Sequence, residues 1–287
     1  MRTLKICCSL CKLPIACFVV FSAVTGYLLA PAFEPVRLAF LGAGTLLLAS
    51  GAFALNQYQE RDIDALMVRT RHRPLPAGVL APRSALIFSI TLLLSGVVCL
   101  SVITAVAAAL GAFAFLWYNG VYTPLKRRTA FAAAPGALVG AVPPVMGWIA
   151  GGGSWTDPKL FAIVMLFLLW QIPHFWLLLI RDRDDYARAG LPVITRVLPS
   201  PRFSGIVALW IGATAVASLS LPLYGVVTSP TISFTLPVFA LGATVSALSV
   251  LSGNASPAAA RAAFRSINIF LALVMLLLSI DPLFRRG

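Results

Sequence analysis

Residues 40–76 read FLGAGTLLLASGAFALNQYQERDIDALMVRTRHRPLP, and the character of the chain changes at Asn56. Up to Leu55 the stretch is apolar. From Asn56 to Pro76 it carries three acids and four arginines. About 20 apolar residues are needed to cross roughly 30 Å of hydrocarbon as a helix. With the residues before it, this run is long enough, so the charges begin where the helix would leave the hydrocarbon. The stretch therefore predicts a membrane helix with a charged site built onto its end.

The rest of the chain repeats the apolar half of that pattern. Of 287 residues, 60% are hydrophobic and only 11% charged, with a mean hydropathy of +0.93. A soluble core of this length cannot bury so much apolar surface. Nine spans are expected, near 14–31, 36–56, 84–102, 104–120, 131–149, 159–180, 204–224, 231–251 and 262–281, with the third and fourth dividing near Ile103. The runs lack strand alternation, and lipid requires every backbone polar group to be satisfied internally, so the expectation is all-α: a polytopic membrane helix bundle. It forms one integral-membrane domain, 1–287, with 1–13 as a short cytoplasmic N-terminal segment. The basic start and first apolar run look like a signal peptide, but no cleavage site follows and eight further spans do, so the first span is expected to be retained.

Lys and Arg placement sets the orientation. With the N-terminus in the cytoplasm, the cytoplasmic segments hold nearly all of the 22 basic residues, leaving Arg37, Lys159, Arg285 and Arg286 on the other side with the C-terminus. The net charge of +13 then reflects topology together with anion binding. Nucleic acid is not an expected partner, because the bases sit in short loops between spans.

The acids carry more information. There are nine, and Glu60, Asp62, Asp64, Asp182, Asp184 and Asp185 form two clusters at the cytoplasmic ends of the second and sixth spans. Positive-inside topology does not call for acids there. Asn56, Glu60 and Asp64 recur every four residues, a drift of about 40° per step, and so line one face of a helix prolonged past the membrane. Asp182 and Asp185 share a face in the same way. Each cluster alone could be a solvated helix end with local ion pairs. Two at one membrane level, in a chain so poor in acids, suit Mg²⁺, which takes oxygen ligands and shares them with phosphates. Arg69, Arg71 and Arg73 follow the first cluster, and Lys126, Arg127 and Arg128 occupy the next cytoplasmic loop. Acids with bases above an apolar bundle point to a metal-bridged diphosphate on a greasy tail.

NQYQERDIDALMVRTRHRPLPAG resembles the N-x-x-x-D-x-x-x-D region of the UbiA superfamily of intramembrane prenyltransferases, and RDRDDYARAG resembles its second acidic motif. VYTPLKRRTAFAAAPGALVGAVPPVMGW (121–148), PHFW (173–176) and DDYARAGLPV (184–193) resemble the branch that farnesylates protoheme. The resemblance covers roughly residues 12–200. It implies nine helices around a central cavity open to the cytoplasmic side, Mg²⁺ as cofactor, farnesyl diphosphate and heme b as substrates, the cytoplasmic membrane as location, and a heme A synthase or oxidase-assembly proteins as downstream partners. Two departures stand out: Glu60 occupies a place usually held by aspartate, and Tyr186 that of the later aspartate of the second motif. The heme-prenylating branch tolerates the tyrosine.

On this resemblance Asn56, Glu60, Asp64, Asp182 and Asp185 are the metal-holding and catalytic set. Lys126 and Arg127, then Arg69 and Arg73, are the diphosphate-binding set, with Tyr122 beside them. Asp62 points off that face toward an arginine. Tyr118 and Tyr122 offer π-faces to an allylic cation, or else belong to the ordinary aromatic belt. His174 lies inside the sixth span, eleven residues before Asp185 and so on its face, about 16 Å below it along the axis. Ionisable residues within a span usually mark function. His174 is expected either to contact heme, as iron ligand or propionate anchor, or to hydrogen-bond a neighbouring helix as a neutral ring. Cys8 and Cys11 form a C-x-x-C with no second pair to complete a zinc set, so reduced thiols are expected. The rival readings are a prenyltransferase for a quinone precursor such as 4-hydroxybenzoate and, behind it, a membrane transporter, whose charges would sit near the midplane rather than at one surface.

Overall fold

The computed structural model describes residues 2–252 and 256–285, which are helical with no strand among them. Arg286, assigned above to the far side, lies outside the described residues. A short helix, α1 (Arg2–Leu10), leads into α2 (Leu13–Leu29) and α3 (Pro35–Gln59). The short α4 (Arg61–Leu66) follows, then α5 (Pro82–Ser101) and α6 (Ala105–Leu116). A π-helical turn over Trp117–Tyr122 joins α6 to α7 (Thr123–Lys126). Beyond it come α8 (Ala133–Ala150), α9 (Pro158–Arg181), α10 (Arg183–Arg188) and α11 (Ile194–Val197). The chain ends with α12 (Ser200–Ser220), α13 (Pro230–Ser252) and α14 (Pro257–Arg285).

Among the described residues eight helices are long and apolar enough to cross a membrane, and the pair Leu4–Leu10 and Leu13–Leu29, bent by 56°, brings the number to nine if counted as one span. Proline explains many of the starts. Pro14, Pro35, Pro82, Pro158, Pro201, Pro230 and Pro257 each stand in the first turn of a long helix, where the missing N–H costs nothing and the fixed φ suits the helix. The division expected near Ile103 is a cap: Thr104 accepts the Ala107 N–H at 3.0 Å and opens α6. The proline pair in α8 leaves that helix continuous.

Helix α3 packs on α5, α2 on α3 and α8, α8 on α9, and α9 on α12 and α14; α14 returns to touch α2 and closes the ring. Small residues allow the α2–α8 approach. A side chain at Gly147 would collide with the Ala23 carbonyl, and one at Gly26 with that of Pro144, the close packing that lipid-embedded helices rely on in place of a hydrophobic drive. Leu209, Phe234 and Leu241 are exposed on the outside, as lipid-facing side chains should be. At one rim the Tyr27 hydroxyl donates to the Glu34 carbonyl and accepts the Glu34 N–H. The buried carboxylate of Asp281 accepts from the Thr228 N–H and hydroxyl and the Ser229 N–H, fixing the start of α13. The other rim carries the acid clusters.

Candidate active site

The two acid clusters are built alike. Helix α3 ends at Gln59, Glu60 breaks the helical geometry (φ −99°, ψ 7°), and α4 begins with Asp62 and Asp64 in its first turn. Helix α9 ends at Arg181, Asp182 breaks it (φ −105°, ψ 18°), and α10 begins with Asp184 and Asp185 in its first turn. Acids suit a first turn because they face unpaired N–H groups and the positive end of the helix dipole. The helix expected to run on past Asn56 is thus interrupted at Glu60. The i→i−4 bonds from Glu60 N to Asn56 O (2.9 Å) and from Asp64 N to Glu60 O (2.8 Å) persist, which keeps the three side chains in sequence along the bend.

Glu60 is only 3% exposed and Asp64 only 1%, so each carboxylate needs a cation beside it. Lys126 Nζ lies 2.7 Å from Glu60 Oε1, and Arg73 donates to Asp64 at 2.6 Å. Burial alone would raise the Glu60 carboxyl. The charge and hydrogen bond of Lys126, with Lys12 and Arg73 behind it, hold it below the ordinary glutamate range instead. Asn56 sits between the elements: its Oδ1 accepts from Lys12 Nζ at 3.0 Å and its Nδ2 donates to the Thr123 hydroxyl at 3.1 Å.

The second cluster folds onto the segment that follows the first. Asp185 accepts the backbone N–H groups of Val68 (3.0 Å) and Arg69 (3.2 Å), and the Arg69 side chain reaches Asp182 at 3.2 Å. Asp182 also receives both forks of Arg181 at 2.8 Å. Arg127 stands apart from Glu60. It grips the exposed Asp62 at 2.7 and 2.9 Å, and that hydrogen bonding pulls the Asp62 carboxyl down. Asp62 thus has the arginine partner its direction suggested.

Beneath the rim a chain of rings runs inward. Ring centroids are 5.8 Å apart for Phe53–Tyr118, 5.6 Å for Tyr118–Tyr122, 5.1 Å for Tyr122–Phe175 and 5.7 Å for Phe175–His174. The π-helical turn sets the first links, and such turns gather at functional sites. Its Asn119, buried, donates to the Ala52 carbonyl and to Gln59 and so pins the turn to α3. A pocket beside Lys126 is lined by Tyr122, Ala133, Phe175, Leu178, Leu179 and Tyr186. His174 hydrogen-bonds Asn268 of α14 through Nδ1 at 3.0 Å, which is the neighbouring-helix bond considered for it. The face it was expected to share with Asp185 does not exist, because the helix breaks at Asp182. Arg181 takes that place: it lies over the Phe264 ring at 4.9 Å, and His174 packs tilted against the same ring at 4.8 Å.

Three residues escaped the sequence reading. Lys12 counted only toward topology, yet its left-handed backbone (φ 45°) turns its side chain inward to Asn56 and over the Phe53 ring at 5.4 Å. Arg181 was expected only as a local ion-pair partner of Asp185 and bonds Asp182 instead, and Asn119 gave no signal beyond being polar inside a span. The five cysteines stand unpaired in the structure.

Among the described residues no three His, Cys, Asp or Glu side chains gather closely enough to hold a metal alone. The donor set nevertheless fits Mg²⁺: hard oxygens in pairs, with cations ready for an anionic co-ligand, match an ion held by one or two carboxylates plus substrate phosphates.

Fold and rim together define an integral-membrane helical protein with an acidic, cation-lined site at one end of its bundle. The chain belongs to the UbiA prenyltransferase family, whose sequence pattern matches residues 19–274. It is 36% identical over 285 residues, 99% of each chain, to a protein of Oleidesulfovibrio alaskensis named protoheme IX farnesyltransferase. It is 46% identical over 204 residues, 71% of this chain and 76% of the relative, to one of the same name from Geobacter sulfurreducens. A UbiA homologue from Archaeoglobus fulgidus, solved bound to GPP and Mg²⁺, shares the fold with a TM-score of 0.69 at 17% identity, over 95% of this chain and 98% of that one.

Proposed function

We propose that this prenyltransferase moves the farnesyl group of farnesyl diphosphate onto a vinyl group of protoheme IX, giving heme O. The observation that carries the reading is the run of rings from Phe53, which lies under the Lys12 ammonium that bonds Asn56, through Tyr118, Tyr122 and Phe175 to His174. It gives the prenyl carbon a dry aromatic path from diphosphate to acceptor, and the relatives' shared name supplies the acceptor.

Asn56, Glu60, Asp64, Asp182 and Asp185 would hold Mg²⁺, which when bound neutralises charge on the departing diphosphate. Lys126, Lys12, Arg73 and Arg69 meet the same charge directly, and fixed cations where charge develops lower the barrier. The allylic C–O bond breaks, and its electrons leave with the diphosphate. Tyr118, Tyr122 and Phe175 offer π-faces to the resulting cation, while Leu178 and Leu179 keep water from it. The outer vinyl carbon forms the new C–C bond. The inner carbon takes the positive charge, gains the oxygen of water and releases a proton. His174 holds the heme. Arg127, tied to Asp62, steadies the rim beside Lys126 and is the weakest of the expected diphosphate ligands. The acid rim faces the cytoplasm of the inner membrane, with the N-terminus on that side and the C-terminus opposite, and a heme A synthase or oxidase-assembly protein receives the product.

The pigments of cells carrying the gene test the acceptor. Accumulation of heme O is expected. Prenylated 4-hydroxybenzoate in its place would overturn the proposal.

A further inference from the structure

We propose that Asn268 fixes the tautomer of His174, so that Nε2 presents its lone pair to the iron of the heme substrate. This rests on the reading of His174 as the heme-holding residue and deepens it. The asparagine orients itself first. Its Nδ2 donates to the Phe264 carbonyl one turn back on α14, which leaves Oδ1 facing α9. That oxygen lies 3.0 Å from His174 Nδ1. An amide oxygen only accepts, so Nδ1 carries the hydrogen and Nε2 of the neutral ring keeps the lone pair.

The ring is held in that pose from several sides. Trp170 and Phe264 lie 4.7 and 4.8 Å from its centroid, with Phe175 edge-on at 5.7 Å. Trp170 is itself anchored to α14 by its Nε1–H on the Ile267 carbonyl at 3.0 Å. Nε2 has no hydrogen-bond partner among the described residues, and His174 retains accessible surface in mid-span. An oriented ring with one nitrogen satisfied and the other open is the arrangement in which a histidine binds metal. The partner on the second nitrogen sets ring direction and raises ligand basicity. The apolar setting keeps water from competing for the iron. Asn268 is therefore a positioning residue, acting through His174.

The test uses purified full-length protein in nanodiscs, titrated with heme b without prenyl diphosphate so that no turnover occurs. Binding is followed by the Soret band, and the iron–histidine stretch of the ferrous complex by resonance Raman. His174→Ala should abolish that stretch. Asn268→Leu keeps the volume and removes the acceptor; it should weaken heme binding about ten- to hundredfold and move the stretch to lower frequency, with farnesyl diphosphate affinity unchanged. Asn268→Asp offers a stronger acceptor and should move it higher, which a packing role would not do. If His174→Ala abolishes the stretch while both Asn268 variants leave it in place, the asparagine proposal fails and the histidine reading stands. If His174→Ala leaves the stretch intact, the histidine reading fails and the asparagine proposal falls with it.

Discussion

At the scale of single residues, the buried Glu60 pairs with the half-buried Lys126, and the two come from elements 66 positions apart in sequence. Glu60→Gln keeps the shape and leaves the half-buried Lys126 ammonium without its counter-charge, which should destabilise the fold. Because the Glu60 carboxyl titrates below its ordinary range, its stabilising contribution is complete above that range and is lost as pH falls through the depressed value. Thermal melts in detergent should show the wild type losing stability on acidification there, with the Gln variant flatter over the same window. Asp64→Asn and Asp185→Asn should each lose roughly a hundredfold or more in turnover while the protein still inserts; a variant within about threefold of wild type would remove that residue from the site. Lys126→Ala should raise the apparent KM for farnesyl diphosphate and leave heme kinetics nearly unchanged, and His174→Ala should do the reverse. The carboxylates were legible in the sequence because acids are rare in this chain and their spacing is regular. Lys12 was not, because its place in the site depends on a left-handed turn that no local pattern announces.

At the scale of elements, the long helices were legible because lipid thickness, apolar length and N-terminal prolines all mark the same boundaries. Their ends were less so. Counting eleven residues from His174 to Asp185 assumed one unbroken helix, and Asp182 interrupts it. The same break at Glu60 ends α3 before the short α4, and Arg69 in the loop beyond reaches across to Asp182. The chain between α4 and α5 therefore acts as a clasp between the acid motifs. Packing is equally position-specific. Gly147→Val should lower the melting temperature markedly, since α2 has no room to give at the Ala23 carbonyl. The same exchange at Gly212, with nothing near it, should not. Equal melts for the two variants would mean that the α2–α8 contact is looser than described.

At the scale of the whole molecule, a single site requires both acid motifs to face one side of the bilayer. Cysteines substituted at Arg71, Arg127 and Arg188 should react with an impermeant thiol reagent from one side and one at Asp157 from the other; labelling of positions 71 and 188 from opposite sides would separate the motifs. What no part of the sequence could fix by pattern alone is the meeting of α9 with α14, because α14 looks only apolar until Asn268 and Phe264 are seen against His174. The most direct measurement of the central claim is reconstitution of the purified protein with heme b, farnesyl diphosphate and Mg²⁺, with products read by mass spectrometry. Heme carrying one farnesyl group and one added hydroxyl is expected, lost with EDTA, restored by excess Mg²⁺ and absent with Asp64→Asn. Unmodified heme, with the prenyl group transferred instead to 4-hydroxybenzoate when both acceptors are offered, would contradict it.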